Sequence, residues 1–318
     1  MPHTTSDWLL LFALTVLWGS SFAFTQVAVE ALPVQLVVAA RLLIACALLL
    51  PAALLLARRP AHSPRLWAVY GLIALFGSAL PYSLVTWGQQ TVASAQAGIL
   101  MAAMPLATLG MAHYLVPGER MNRHRAGGFL IGFCGVAVLL GPAIWREVDP
   151  QQLPAMAAIL LAACCYAITS ILARLRPPSD ALYSAAATTT LATLMLLPAL
   201  LALPADPTAT LPTGRHLLAL FALGAGSTAL AAILYMHLVK RTGAAFVSQL
   251  NYLIPLWALG VGVGLLGEPL APRHLIALAL ILGGMAVVRR EHQPPTKIRV
   301  VQSSSDSNRS AKARAKRR

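Results

Sequence analysis

Arg41 is the one charged residue that this 318-residue sequence sets deep inside an apolar run. It stands about eight residues into the run 34–57, and so about 12 Å below its start at 1.5 Å per residue. Insertion at such a depth costs about 2.5–3.5 kcal/mol, less for a side chain that reaches the surface. Two roles fit: a cation facing a cavity, ready for the carboxylate of a small solute, or an arginine that snorkels to headgroups or to Glu30. All ten carboxylates (Asp7, Glu30, Glu119, Glu147, Asp149, Asp180, Asp206, Glu268, Glu291 and Asp306) fall at or beyond the ends of apolar runs. They offer neither an interior proton relay nor a catalytic acid pair. The sequence also lacks a phosphate loop, a Gly-x-Ser-x-Gly elbow and a His-Glu-x-x-His zinc motif. An enzyme is therefore not expected, nor a cofactor or metal site. His113 and His237 lie near run ends, where a histidine is either interfacial or linked to protons.

Uncharged polar residues fall on helical stripes. Ser78, Pro81, Tyr82, Thr86 and Gln89 follow i, i+3, i+4, i+8, i+11. Ser248, Asn251, Tyr252 and Pro255 follow i, i+3, i+4, i+7, with Gln249 beside them. Trp18, Ser21 and Thr25 make a third set, Thr228 and Tyr235 a fourth. Such spacing puts each set on one helix face. In a membrane that face meets other helices or water. Four stripes together favour a shared cavity, with Trp18, Tyr82, Trp87, Tyr235 and Tyr252 as amphipathic walls.

The sequence around Pro105 returns around Pro255. In each copy polar residues come first (Gln96; Gln249), then the proline, then a small step (Leu109, Gly110; Leu259, Gly260), then a Gly-Glu stop (Gly118, Glu119; Gly267, Glu268). The match continues as Cys134, Gly135 and Val138 against Gly283, Gly284 and Val287. A helical proline frees the carbonyl four residues earlier, here those of Met101 and Asn251. Interrupted apolar helices at matching places in two halves point to a solute site at the midplane. The spacing predicts that these two carbonyls border one cavity with Tyr82, Gln96, Gln249 and Tyr252, with Pro105 and Pro255 as hinges. The plainer reading is a pair of kinked packing helices.

Composition fixes what must carry these residues. Hydrophobic residues make up 58% and charged ones 11%, against about 25% charged in soluble domains. This is a polytopic membrane chain. Ten runs have the length of a span: 8–29, 34–57, 66–88, 94–116, 126–145, 153–174, 180–203, 215–238, 244–266 and 271–289. The first run has no basic leader and is read as retained. Cys46, Cys134, Cys164 and Cys165 lie within runs as small apolar residues. Of 24 Lys and Arg, twenty fall on one side of the alternating connections, and only Arg146, Arg215 and Arg273 on the other. By the positive-inside rule both termini are cytoplasmic. Five spans per copy is an odd number, so the second repeat (150–290) is inverted relative to the first (1–149). Of the net charge of +14, the tail 291–318 supplies +6, eight Lys and Arg against Glu291 and Asp306; the tail is read as disordered and attracted to anionic lipid, not to nucleic acid.

Leu17, Trp18, Gly19, Ser20, Ser21 and Phe22, with Ala40 and Arg41, the segments 102–106 and 252–256, and the two Gly-Glu stops, resemble the EamA-type branch of the drug/metabolite transporter superfamily. The resemblance spans roughly 8–290. It implies a ten-helix secondary transporter of the bacterial inner membrane, often an efflux protein for amino acids, metabolites or toxic compounds. It also implies a central cavity built from the first, third, fourth, sixth, eighth and ninth helices. The second half departs from the pattern: Tyr166 and Ala167 stand where the first has Trp18 and Gly19, and Thr189 or Thr190 replaces Arg41. The expectation is an all-α protein that exports a small metabolite or amino-acid-like solute by alternating access. Its binding residues are expected to be Trp18, Ser21, Arg41, Tyr82, Gln96, Met101, Tyr235, Gln249, Asn251 and Tyr252. The alternative is a passive permease or channel on the same scaffold.

Overall fold

A computed structural model describes residues 3–58, 63–116, 121–144, 152–175, 179–203 and 212–290. The regular structure among them is entirely helical. Eight helical stretches are long and apolar enough to cross a bilayer. These are span one (Thr5–Val29), two (Val34–Leu56), three (Pro64–Gly88), four (Ser94–Leu115), five (Arg123–Leu140), six (Gln152–Ala173), seven (Ala181–Leu201) and eight (Gly214–Thr242). Two shorter apolar helices, Leu250–Leu265 and Pro272–Val288, form spans nine and ten. The expected ten-helix membrane fold is what the chain adopts, with span limits within a few residues of those read from sequence. A helix satisfies its own backbone, which lipid cannot do.

Polar residues set the starts. Thr4 and Asp7 form a capping box on span one, and Asp180 caps the Leu182 and Tyr183 amides of span seven. Asp7 also pairs with Arg241 at 3.0 Å, tying the start of span one to the end of span eight. We call the end that carries Arg123, Lys240 and Arg241 the basic end.

Several spans are interrupted, and one pair of interruptions matches between halves. Span three contains a π-helix at Leu75–Ala79 and span eight one at Ala222–Leu230. Span one breaks at Ser20, between Thr5–Gly19 and Ser21–Val29. Span four breaks at Ala102 and Ala103, whose amides close tight turns onto Ile99 and Leu100. Pro105 then sits in the first turn of Met104–Leu115, where its missing N–H costs nothing. Span nine differs. A short helix, Ala244–Val247, follows Gly243, whose φ of 79° stops span eight. The turn comes at Ser248 and Gln249, upstream of Pro255, which lies inside the continuous helix Leu250–Leu265. The proline marks the break in the first copy only; in the second, the Asn251 and Tyr252 amides close three-residue turns onto Ser248 and Gln249.

Glycines bring spans together. Spans five and ten approach so closely that a Cβ on Gly128 would stand 2.6 Å from the Gly284 carbonyl oxygen. Such small-residue contact supplies van der Waals packing where lipid offers no hydrophobic drive. Spans two and seven form a second pair. The main core joins Ile99, Leu100, Leu139, Met156, Ile159 and Ile281 from spans four, five, six and ten. A second core joins Leu11, Leu14, Leu238, Phe246 and Leu250 from spans one, eight and nine.

Candidate functional site

Arg41 turns inward. Its Nε donates to Thr228 Oγ1 at 2.9 Å, and its guanidinium carbon lies 3.8 Å from the centre of the Tyr82 ring. Thr228 sits in the π-helix of span eight and donates its own proton to Leu223 at 2.9 Å, five residues back. Tyr166 of span six lies within electrostatic reach of both Arg41 and Tyr82. Glu30, the acid within sequence reach of a snorkelling arginine, instead pairs with Arg215. Spans two, three, six and eight therefore converge on one cation.

A cavity of about 150 Å³ lies where span four has broken. Pro105, Leu106 and Leu109 form one wall, Ser248, Asn251 and Tyr252 another, and Met285 and Val288 of span ten the third. These residues belong to the basic-end halves of spans four, nine and ten. The lining is apolar, with three polar side chains contributed by the broken turn of span nine. That pattern suits a small solute with a few polar groups.

At the opposite end the same two spans are fastened together. Packing of span four on Leu250–Leu265 runs through Ser94–Met101. A Cβ on Gly98 would come within 2.5 Å of Ala258 Cβ, and one on Gly262 within 2.9 Å of Ala95 Cβ. Glu268 completes the contact. Leu250–Leu265 ends in a turn where Gly267 takes φ 68° and the Glu268 amide donates to the Gly262 carbonyl at 3.0 Å. That turn aims the carboxylate at the start of span four, where it accepts from the Ser94 and Ala95 amides at 2.7 and 2.8 Å. One side chain thus satisfies two of the orphan donors at a helix start, with its charge at the positive end of the helix dipole. Gln89, fully buried, donates to the Phe22 carbonyl at 2.8 Å and binds span three to span one. Nearer the middle, Trp257 Nε1 donates to Ser20 Oγ at 2.9 Å. Gly19 leaves room for that indole: a Cβ there would stand 2.6 Å from Trp257 Cδ1.

The residues read from sequence are distributed over three places. Pro105, Asn251 and Tyr252 share the cavity. Arg41 and Tyr82 share the cation cluster. Trp18 and Tyr235 pack with ring centroids 5.4 Å apart and planes tilted by 47°, and the Trp18 indole donates to the Ser227 carbonyl at 3.1 Å. Ser21 bonds back to Trp18 within its own span. Gln96 turns to the Met156 sulfur at 3.6 Å, Met101 packs on the main core, Gln249 forms the turn before Leu250, and Pro255 is buried. His113 Nδ1 accepts from the Met121 amide and His237 is exposed. Gly118, Glu119, the loop at Arg146 to Asp149 and the tail lie outside the described residues. Sequence reasoning missed the role of Glu268, although a carboxylate beside a helix-stopping glycine was a signal. It also missed Tyr166 as the companion of Arg41, and Met285 and Val288, which carry no polar mark.

Comparison with known proteins agrees with this architecture. The EamA-like transporter family matches twice, over residues 6–141 and 153–290. An uncharacterised inner membrane transporter, YedA of Escherichia coli K12, is 27% identical over 87% of this chain and 89% of its own. A probable terminal-alkyne amino-acid exporter of Streptantibioticus cattleyicolor is 27% identical over 91% of this chain and 95% of its own. A solved crystal structure, 25% identical, covers 92% of this chain and 99% of its own with a TM-score of 0.61. With both halves matched, the chain belongs to the EamA-like transporter family, a multi-pass inner membrane transporter and not an enzyme.

Proposed function

We propose that this protein exports a small, amino-acid-like solute from the cytoplasm by alternating access. Residues 1–149 and 150–290 act as two inverted five-helix repeats, and both chain ends are cytoplasmic. One observation carries the reading. Spans four and nine are fastened at one end by Glu268, Gly98 and Gly262, and part around a cavity at the basic end. The basic end is the cytoplasmic one by the distribution of Lys and Arg, so the cavity faces the compartment from which an exporter loads.

The broken turn at Ala102 and Ala103 lets Met104–Leu115 tilt without disturbing Ser94–Met101. Export then requires the basic-end halves to close on the solute and the Glu268 contact to open. Asn251, Ser248 and Tyr252 orient the polar part of the solute, and Leu106, Leu109 and Met285 cover its apolar part. The similarity to an amino-acid exporter supports the solute class. The basic tail is assigned to anionic lipid at the cytoplasmic face.

Metabolite profiling of medium from overexpressing and deleted cells identifies the solute. Counterflow in reconstituted vesicles then tests the mechanism. A carrier accumulates labelled solute against unlabelled solute preloaded inside. Simple equilibration without a transient overshoot is the signature of a passive permease or channel and contradicts the reading.

A further inference from the structure

The cation cluster lies apart from the residues that line the cavity, and the loading and closing steps above do not use it. We propose that Arg41, held by Thr228 and Tyr82, is the subsite that takes a carboxylate of the transported solute. This deepens the exporter reading and rests on it for the word transported; the binding itself is tested separately below.

A guanidinium has five N–H donors in one plane. Nε is spent on Thr228 Oγ1. The guanidinium carbon lies 3.8 Å over the Tyr82 ring. Thr228 cannot turn away, because its proton is committed to the Leu223 carbonyl. The two Nη groups make no hydrogen bond among the described residues, and neither counts among the sealed, unpartnered polar atoms, as Gln89 Oε1 does. Their edge therefore keeps some accessible surface. Among the described residues Arg41 also has no carboxylate partner, its one natural candidate being held by Arg215.

A residue that is only 9% exposed and charged without a counter-ion is costly. Packing alone gives no reason to keep it, since an apolar side chain would fill the space between Tyr82 and Thr228. A planar anion supplies the missing charge and matches the free edge with two parallel hydrogen bonds. The Tyr82 ring holds the cation against its surface, which limits how that edge can turn. Lysine would offer a point charge and no such edge. The four spans that meet here come from both halves of the chain, so an anion bound at this point touches elements that must move relative to one another.

The test measures binding to the purified full-length protein in lipid nanodiscs by calorimetry. The probes are L-phenylalanine, 3-phenylpropionate, L-phenylalaninamide and 2-phenylethylamine, which share a ring and differ in the carboxylate. Both carboxylates are expected to bind about tenfold or more tightly than the amide and the amine. Arg41→Gln should level the four affinities, and Arg41→Lys should keep part of the preference. Thr228→Val leaves the charge in place and loosens its aim, and should weaken the carboxylates alone. Equal affinity of acid and amide, absence of carboxylate binding, or a preference that survives in Arg41→Gln overturns the proposal. If Arg41→Gln does not fold, the Thr228→Val result decides in the same way. Carboxylate binding without counterflow removes the exporter reading and leaves the subsite; counterflow without carboxylate preference does the reverse.

Discussion

Glu268 does two jobs in one turn. Its amide closes the end of span nine, and its carboxylate opens span four. Hydrogen bonds to a charged group contribute about 1.5–3 kcal/mol, enough to hold one end of a two-state carrier shut. Glu268→Gln keeps one acceptor oxygen and loses the charge, and Glu268→Ala loses both bonds. We expect a thiol probe added outside to label Ala95→Cys several-fold faster in Glu268→Gln, and faster still in Glu268→Ala. Unchanged labelling in both would reduce Glu268 to a helix stop. That stop was readable from Gly267 and Glu268 alone. The carboxylate's partner was not, because it lies 174 residues away and is a backbone amide, which has no signature in sequence. Arg41 was legible as an anomaly by its depth. That it turns inward depended on Thr228, 187 residues away.

Two kinds of interruption shape the elements. The turn in span four was foreseeable from Pro105, since a proline cannot close an interior helical bond. Pro105→Ala restores that N–H toward Met101 and should stiffen the join. The expected result is a several-fold loss of counterflow at unchanged membrane levels, with a smaller loss for Pro255→Ala, whose helix is already continuous. Equal effects would detach the turn from transport. The π-helices of spans three and eight were not foreseeable, because one extra residue per turn leaves composition and apolar periodicity nearly unchanged. They matter because Thr228, in the second of them, bonds five residues back and thereby aims at Arg41. Helix contact at spans five and ten gives a paired test. Gly128→Ala drives a Cβ into the Gly284 carbonyl, whereas nothing lies within 4 Å of a Cβ on Gly127. Overpacking costs about 1–3 kcal/mol, while alanine at an open helical glycine gains up to about 1 kcal/mol. Melting in detergent should therefore fall for Gly128→Ala and hold or rise for Gly127→Ala. The opposite order would refute the close approach.

At the scale of the whole molecule, number and limits of the spans came from apolar runs and proline punctuation alone. Which residues meet across the middle did not. The sequence gathered Met101, Gln96 and Tyr82 around one cavity, but Gln96 turns to Met156 and Tyr82 turns to Arg41. Helical stripes name a face and leave its neighbour open, and the turn at Ser248 and Gln249 interrupts the stripe read across span nine. Nor does a sequence say which end of a carrier is shut. That asymmetry is the centre of the account, and Ala95 and Gly262 allow it to be locked. Their Cβ positions lie 2.9 Å apart, close enough for a disulfide after a shift of about 1 Å. Ala95→Cys with Gly262→Cys, in a chain whose Cys46, Cys134, Cys164 and Cys165 are replaced by alanine, is oxidised in vesicles and assayed by counterflow of the solute that profiling identifies. The account predicts that the bridged protein stops exchanging and that reduction restores it. A fully bridged protein that exchanges at the reduced rate would contradict alternating access through this contact.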